Sequence, residues 1–195
     1  MKIYLVRHGE TTSDIEDRYG GDYDDHLTEK GTNQAKELAK KLSSKGIEII
    51  YHSPKTRAAE TAQIVATELK APLVVLENFR ERNNYGVLTG LTKTEALEKF
   101  ASEVKKLEIS QKNHGITGSE GYAWFKQRIL HAFSAVTNEE QKAVAIITHG
   151  GPIRVILREL AKKELASIGE CAIIELEETN GAIEIKSLEN AQIQN

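Results

Sequence analysis

Hydrophobic positions along the chain fall into two alternating patterns. Short apolar runs at Ile3 to Val6, Ile47 to Tyr51, Leu73 to Leu76 and Ala143 to Ile147 predict strands, the last of them buried. Between them, apolar residues recur at helical spacing. Ala35, Leu38, Ala39 and Leu42 form one stripe, stopped near Gly46. Ala58, Ala62, Val65 and Leu69 form another, preceded by Ser53-Pro54, which has the form of an N-cap followed by proline at the first helical position. Thr92-Lys93-Thr94-Glu95 has the form of a capping box and predicts a helix to about Leu107. Phe125, Ile129, Ala132, Phe133 and Val136 mark a further helix, and Gly150-Gly151-Pro152 opens one carrying Ile153, Ile156, Leu157 and Leu160. Two last strands, Cys171 to Leu176 and Ala182 to Ile185, flank Asn180-Gly181, a strong hairpin signal. The polar, glycine-rich stretch from Ser110 to Gly121 predicts a mobile loop.

This alternation predicts an α/β fold: a three-layer sandwich with a mostly parallel central sheet, helices on both faces and a C-terminal antiparallel hairpin. With 195 residues, one domain spanning 1–195 is expected, with a lid or insertion at about 91–118. No apolar run approaches the roughly 20 residues that span a bilayer, so no membrane partner is expected. The apolar part of the N-terminus is too short for a secretory signal. Cys171 is alone, which leaves no internal disulfide and no cysteine-built zinc site and points to a cytoplasmic home. A net charge of −3 argues against a nucleic-acid partner, and it requires that positive contacts to any anionic ligand be local.

Local positive groups are what the strand ends supply. Arg7 and His8 follow the first run. His52 and Ser53 follow the second, with Arg57 one helical turn on. Glu81 lies just after the third, between Arg80 and Arg82. His149 and Gly150 follow the fourth. Ligands of open parallel sheets bind at the C-terminal ends of strands. Guanidinium forks match phosphate oxygens, an imidazole can attack phosphorus, a carboxylic acid can protonate a leaving oxygen, and a helix start at Gly150-Gly151 offers backbone N–H groups. No carboxylate cluster suggests a metal, so neither metal nor other cofactor is expected. Each residue has a bland alternative taken singly: surface ion pairs for Arg7 and Arg57, a structural hydrogen bond for His8, a helix cap for His149, a solvated charge cluster for Glu81. Independent accidents do not explain why all of them follow strands. His26, His52 and His131 receive no role, and for His114, in the loop, contact with substrate is the one candidate role.

The same residues carry a family resemblance. Arg7-His8-Gly9-Glu10-Thr11, the stretch from Arg18 to Gly31, Ser53-Pro54-Lys55-Thr56-Arg57, Glu81 followed by Tyr85-Gly86, and Thr148-His149-Gly150 resemble, in order, the motifs of the phosphoglycerate mutase-like, or histidine phosphatase, superfamily. The resemblance implies that His8 is the nucleophile that becomes phosphohistidine. It implies that Arg7, Arg57 and His149 complete the phosphate pocket, and that Glu81 is general acid and then base. Gly9, Thr11 and Gly150 would add phosphate contacts. Tyr85 and Lys93 resemble part of a mutase substrate loop. Glu120 matches a family element only in its glutamate and is given no catalytic role. Asp14 stands where many members carry asparagine, and it would repel phosphate unless turned away or paired, Arg18 being one partner at hand.

Both mutases and phosphatases pass through phosphohistidine. The short chain, the lack of an adjacent arginine pair between Ala101 and His114, and Gly151 where mutases carry asparagine favour a phosphomonoesterase acting on a small-molecule phosphoester. A cofactor-dependent phosphoglycerate mutase and a non-catalytic phospho-ligand binder are the alternatives. Oligomeric state is not readable.

Overall fold

The strands lie in the order β3-β2-β4-β1-β5-β6 in the computed structural model, which describes residues 1–109 and 115–194. The strands are β1 (Lys2–Arg7), β2 (Ile49–His52), β3 (Leu73–Val75), β4 (Ala143–Thr148), β5 (Leu165–Thr179) and β6 (Ala182–Ile193). β1 to β4 are mutually parallel, while β5 runs antiparallel to β1 and carries β6 beside it. The helices are α1 (Thr12–Ile15), α2 (Glu29–Leu42), α3 (Thr56–Leu69), α4 (Lys93–Ile109), α5 (Tyr122–Thr137) and α6 (Gly150–Glu159). Among the described residues, none is long and apolar enough to cross a membrane.

Side chains on a strand alternate between faces, and the two faces of the sheet bury different partners. Ile3 and Leu5 of β1 and Val144 and Ile146 of β4 pack with Phe125, Ile129 and Phe133 of α5 and Ile153 and Ile156 of α6. Tyr4 and Val6 of β1 and Ala145 and Ile147 of β4 pack with Leu38 and Leu42 of α2 and Ala62 and Val65 of α3. A continuous apolar run such as Ile3-Tyr4-Leu5-Val6 is what burial on both faces demands. The predicted layers and the terminal antiparallel pair are therefore present.

Three local expectations need correction. The hairpin strands run far beyond Cys171 to Leu176 and Ala182 to Ile185. Pairing between β5 and β6 is broken by register shifts, one of them between Ile168 and Ile173, and these interrupt the alternation that marks a strand. Cys171 does not open a strand. It sits half-exposed in that irregularity at φ 52°, with its N–H on the His8 carbonyl at 3.1 Å. Ser53 is not the N-cap of α3, which starts at Thr56 after Lys55; its hydroxyl accepts from Lys55 N–H at 3.2 Å, ahead of the helix, and also meets His149. The capping box at Thr92 forms as expected: Thr92 N–H donates to Glu95 Oε2 at 2.9 Å and Glu95 N–H to Thr92 Oγ1 at 3.1 Å. The predicted loop is only partly covered, since residues 110–114, His114 included, lie outside the described residues.

Gly9 and Gly31 hold the turn after β1 against the start of α2. A Cβ on Gly31 would collide with the Glu10 carbonyl, and one on Gly9 would come within 2.6 Å of the Gly31 carbonyl oxygen. With neither present, the backbone after His8 lies flat on the helix.

Candidate active site

Strand register brings the chemistry together. Arg7 pairs with Thr148, so the next residues, His8 and His149, leave the sheet at the same level. His8 N–H donates to the Thr148 carbonyl at 3.0 Å, and the two imidazole rings meet edge to face with centroids 5.1 Å apart. His52 pairs with Ile147, which puts Ser53 beside this pair, and Ser53 Oγ lies 2.7 Å from His149 Nε2.

The hydrogen bonds of His8 assign its tautomer. Arg57 Nε lies 3.2 Å from His8 Nε2 and can only donate, so Nε2 must carry the lone pair. The proton is then on Nδ1, which donates to the Gly9 carbonyl at 2.7 Å. Burial, followed by the charges of Arg57 and Arg7, lowers the His8 pKa to about 3, against weaker opposing effects of the Gly9 carbonyl and Asp25. The ring is therefore a neutral base at physiological pH. His149 is fully buried and is pushed the same way, first by burial and then by Arg57 and His8. Its Nδ1 has no hydrogen-bond partner.

These shifts link the site to acid stability. An unfolded histidine titrates near 6.5, whereas folded His8 titrates near 3, so the unfolded chain takes up the proton first. Stability from this site is fully present above pH 6.5 and is lost as pH falls toward 3. His8→Gln should therefore show a shallower decline in urea midpoint between pH 7 and 4.5 than the parent. Parallel declines would contradict the assignment.

Arg57 enters from the first turn of α3 and is 4% exposed. Its Nη1 donates to Asp25 Oδ1 at 2.7 Å and to the Tyr23 carbonyl, and Nη2 donates to the Gly21 carbonyl at 2.8 Å. Asp25 is itself buried and bonded to the Ser13 hydroxyl. Burial alone would raise its carboxyl, but Arg57 and the Ser13 and Thr11 hydroxyls outweigh that and hold it below the usual carboxylate range. Sequence reasoning missed Asp25. The available signal was its place in the stretch quoted between Arg18 and Gly31, without a partner to give it meaning. Arg7 is anchored by Nη1 to the Ile168 carbonyl at 2.8 Å and to Glu170 at 3.6 Å.

Glu81 faces these groups from the segment after β3. Its Oε1 accepts from its neighbour Arg82 N–H at 2.8 Å and its Oε2 from Gly151 N–H at 2.9 Å. A Cβ on Gly151 would collide with Oε1, so this docking requires glycine. It also redirects an expected contact: the α6 start gives the Gly151 N–H to Glu81, and Pro152 has none to give. Burial raises the Glu81 pKa above its ordinary value, although both backbone donors and the two arginines pull it down.

A second residue missed from sequence, Arg128 of α5, shapes this segment. It is 5% exposed, and all five of its donors are used. Nε and Nη2 grip the Glu120 carboxylate at 2.7 and 2.8 Å. Nη1 donates to the carbonyls of Asn78 and Arg80 at 2.6 and 2.8 Å, and Nη2 to that of Glu81 at 3.0 Å. Glu120 thus acts in fixing Arg128. An arginine among the apolar positions of a helix was the available sign.

Arg7, His8, Thr11, Arg57, Glu81 and Gly150 line one cavity of about 280 Å³, together with Asp14 and Arg154. His149 backs it through the His8 ring, and Gly9 is turned toward α3, its N–H 3.3 Å from Thr61 Oγ1. Asp14 is paired, though not with Arg18: its Oδ2 accepts from both the N–H and the hydroxyl of Thr11 at 2.9 Å. Lys93 is laid over the Tyr19 ring, 3.4 Å from its centroid and 6.0 Å from that of Tyr85. Neither Lys93 nor Tyr85 lines the cavity.

Comparison with known proteins agrees with this geometry. Residues 3–191 match the family model for the histidine phosphatase superfamily, branch 1. The chain is 30% identical to the 2,3-bisphosphoglycerate-dependent phosphoglycerate mutase of Parvibaculum lavamentivorans over 93% of each chain. It is likewise 30% identical to a metal-independent phosphoserine phosphatase of Arabidopsis thaliana, over 85% of this chain and 71% of that one. Among solved structures it resembles Bacillus stearothermophilus YhfR, with a TM-score of 0.84 and 26% identity over 97% of this chain and 96% of that one. With one histidine, two arginines and a carboxyl drawn from separate strand ends into one hollow, a second histidine behind the first, and a match along nearly its whole length, the chain belongs to the histidine phosphatase superfamily, branch 1.

Proposed function

We propose that this protein is a phosphomonoester hydrolase that works through phosphohistidine on His8 and needs no metal. The observation that carries the reading is the pairing across one cavity of a neutral imidazole, with its lone pair on Nε2, and a carboxyl raised by burial. A phosphoester binds with its oxygens on Arg7, Arg57 and the Gly150 N–H, while His149 stays behind the His8 ring. Arg57 Nε turns from His8 Nε2 to a phosphoryl oxygen, which frees the lone pair. Nε2 then forms a bond to phosphorus as the P–O ester bond breaks, and Glu81 gives its proton to the leaving oxygen. In the second half, the Glu81 carboxylate takes a proton from water. The water oxygen bonds to phosphorus, the P–N bond breaks, and phosphate leaves with His8 restored. Positive charge for the transferring group comes from guanidinium groups already in place, which supports metal independence.

Water as the acceptor is favoured over a phosphoacid by Gly151, whose lack of a side chain lets Glu81 occupy the α6 terminus. Lys93, turned onto Tyr19, takes no part in this reading. The mutase relative keeps the second reading in play. The test is hydrolysis of aryl and alkyl phosphates with excess chelator. Activity should persist, and Glu81→Gln should slow alkyl esters, whose leaving groups are poor, about 100-fold more than activated aryl esters. Equal slowing of both would remove Glu81 as the acid. Loss of all activity on chelation would remove the metal-free mechanism. Isomerisation of phosphoglycerate that requires a bisphosphoglycerate primer would replace hydrolase with mutase.

A further inference from the structure

The charges that line the phosphate hollow are not equally provided for. Arg7 lies 3.6 Å from Glu170, and Arg57 Nη1 donates to Asp25 Oδ1 at 2.7 Å. Glu81 is held by the Arg82 and Gly151 N–H groups. Asp14 differs. It lines the same hollow at an exposed position, and among the described residues no cation comes within 4.0 Å of it. Its Oδ2 accepts from the Thr11 N–H and hydroxyl at 2.9 Å, which fixes the carboxylate in place, while Oδ1 receives no donor among the described residues. The titratable and charged groups that share the hollow with it are Arg7 of β1, His8 of the following turn, Arg57 of α3, Glu81 of the segment after β3 and Arg154 of α6. Lys30 of α2 feels its charge but donates to Glu10, and Glu16 beside α1 is tied to Arg18.

Charge and hydrogen bonding both make this carboxylate selective. The guanidinium groups of Arg7, Arg57 and Arg154 are balanced by the carboxylates of Glu170, Asp25 and Asp14, and burial pushes Glu81 toward its neutral form. Before substrate arrives the hollow is therefore close to neutral. A phosphate dianion adds two unbalanced charges to it, a monoanion only one. Hydrogen bonding draws the same line. An ionised carboxylate offers acceptors alone, and so does a phosphate dianion, whereas a monoanion carries one P–OH that can donate. An O–H donor on an ionised carboxylate makes one of the stronger hydrogen bonds.

We infer that Asp14 selects the substrate in its monoanionic form, ROPO3H−, by accepting the P–OH hydrogen bond on Oδ1. The inference rests on the hydrolase reading and adds the ionisation state of its substrate. The P–OH proton stays on the phosphoryl group throughout. Nε2 of His8 bonds to phosphorus as the P–O ester bond breaks, and Glu81 protonates the leaving oxygen. Water then returns a proton to Glu81 and its hydroxide to phosphorus as the P–N bond breaks, so ROPO3H− and water give ROH and H2PO4−. Phosphate monoesters lose their second proton at about pH 6, so turnover is fastest on the acid side of neutrality.

The test is kcat/KM against pH for two esters with different second ionisations, an alkyl phosphate and a nitrophenyl phosphate. Loss of the Glu81 proton lowers activity at one pH whatever the ester. The inference adds a second decline that follows the second ionisation of each ester and so comes at lower pH for the nitrophenyl compound. The amide of Asp14→Asn keeps an acceptor for Thr11 and offers the hollow a donor. In that variant the second decline should vanish, and the ratio of kcat/KM at about pH 8 to that at about pH 5 should rise about tenfold or more. The ratio is the readout because it cancels any general loss of activity. Wild-type activity that increases through the second ionisation of the ester would show the dianion to be the substrate and overturn the inference. A pH profile that Asp14→Asn leaves unchanged overturns it as well. If neither ester is hydrolysed, the hydrolase reading fails, and calorimetry with inorganic phosphate decides the inference by itself. Binding that weakens through the second ionisation of phosphate in the wild type but not in Asp14→Asn supports it, and the same pH dependence in both overturns it.

Discussion

His8→Ala should abolish turnover of every phosphoester, lowering kcat by at least roughly 10⁴-fold, the scale seen when a covalent nucleophile is removed. The physical reason is that, among the described residues, no other nucleophile is placed to take over. His149 is fully buried behind the His8 ring, with its Nε2 engaged by Ser53. Cys171 is half-exposed in the β5 irregularity next to the site, and burial raises its thiol to about 12, so it is not a thiolate at neutral pH. Arg57 should still hold phosphate in the variant, because Asp25 and the carbonyls of Tyr23 and Gly21 fix it independently of His8. The measurement is therefore double. Rapid quench of the parent with labelled substrate should trap label that survives base and is lost in acid, as expected of a phosphoramidate, and the trapped label should be absent from His8→Ala. Label at another residue, or substantial turnover by the variant, would move the nucleophile elsewhere.

The second large effect is expected at a residue that touches no substrate. Arg128→Met should lower unfolding free energy by about 3–5 kcal/mol, the range for breaking one side of a buried ion pair. The substitution removes two hydrogen bonds to the Glu120 carboxylate, which keeps the Asn83 N–H at 3.4 Å and Arg80 at 3.6 Å, and the three to the carbonyls of Asn78, Arg80 and Glu81. Arg128→Lys keeps the charge but cannot supply five donors in a plane, so it should fall between parent and Met. Glu120→Gln in the Arg128→Met background should recover part of the loss, because the stranded charge is then gone. Function should follow the same order. A loosened Glu81 segment should slow alkyl phosphates more than aryl phosphates, in the direction of Glu81→Gln. Urea midpoints with unchanged slope report the first effect and leaving-group dependence the second. A loss under 1 kcal/mol with no change in leaving-group dependence would show that the five hydrogen bonds do not position the acid.

Much of this molecule was legible along the chain because the signals are local. Four short apolar runs bounded by helical stripes are what a parallel sheet covered by helices must look like, and the strands formed where those runs lie, although the edge strand β3 leaves Val74 and Val75 exposed. His8, Arg57, Glu81 and His149 stood out because each follows a strand or its helix, and parallel strands bring their C-terminal ends to one edge. The hairpin was legible at its Asn180-Gly181 turn and in the strand segments beside it, but not in its outer parts. Its strands, broken by bulges, lose the two-residue period from which a strand is read.

What only the tertiary structure decided are relations between groups distant in sequence. The His8 tautomer depends on Arg57, 49 residues away. The place of Glu81 depends on the missing Cβ of Gly151, 70 residues away, and on Arg128, 47 residues away. Asp14 could be read as hostile to phosphate until its bonds to Thr11 were seen, and nothing along the chain singled out Asp25 or Arg128. A polar residue carries no periodic signature, and its meaning lies in the partner that its burial requires. The amino-acid order by itself therefore determined the sheet, the edge at which chemistry occurs and the groups offered there. Protonation, orientation and the pairing of each charge were decided by packing, because hydrogen bonds and desolvation act through space.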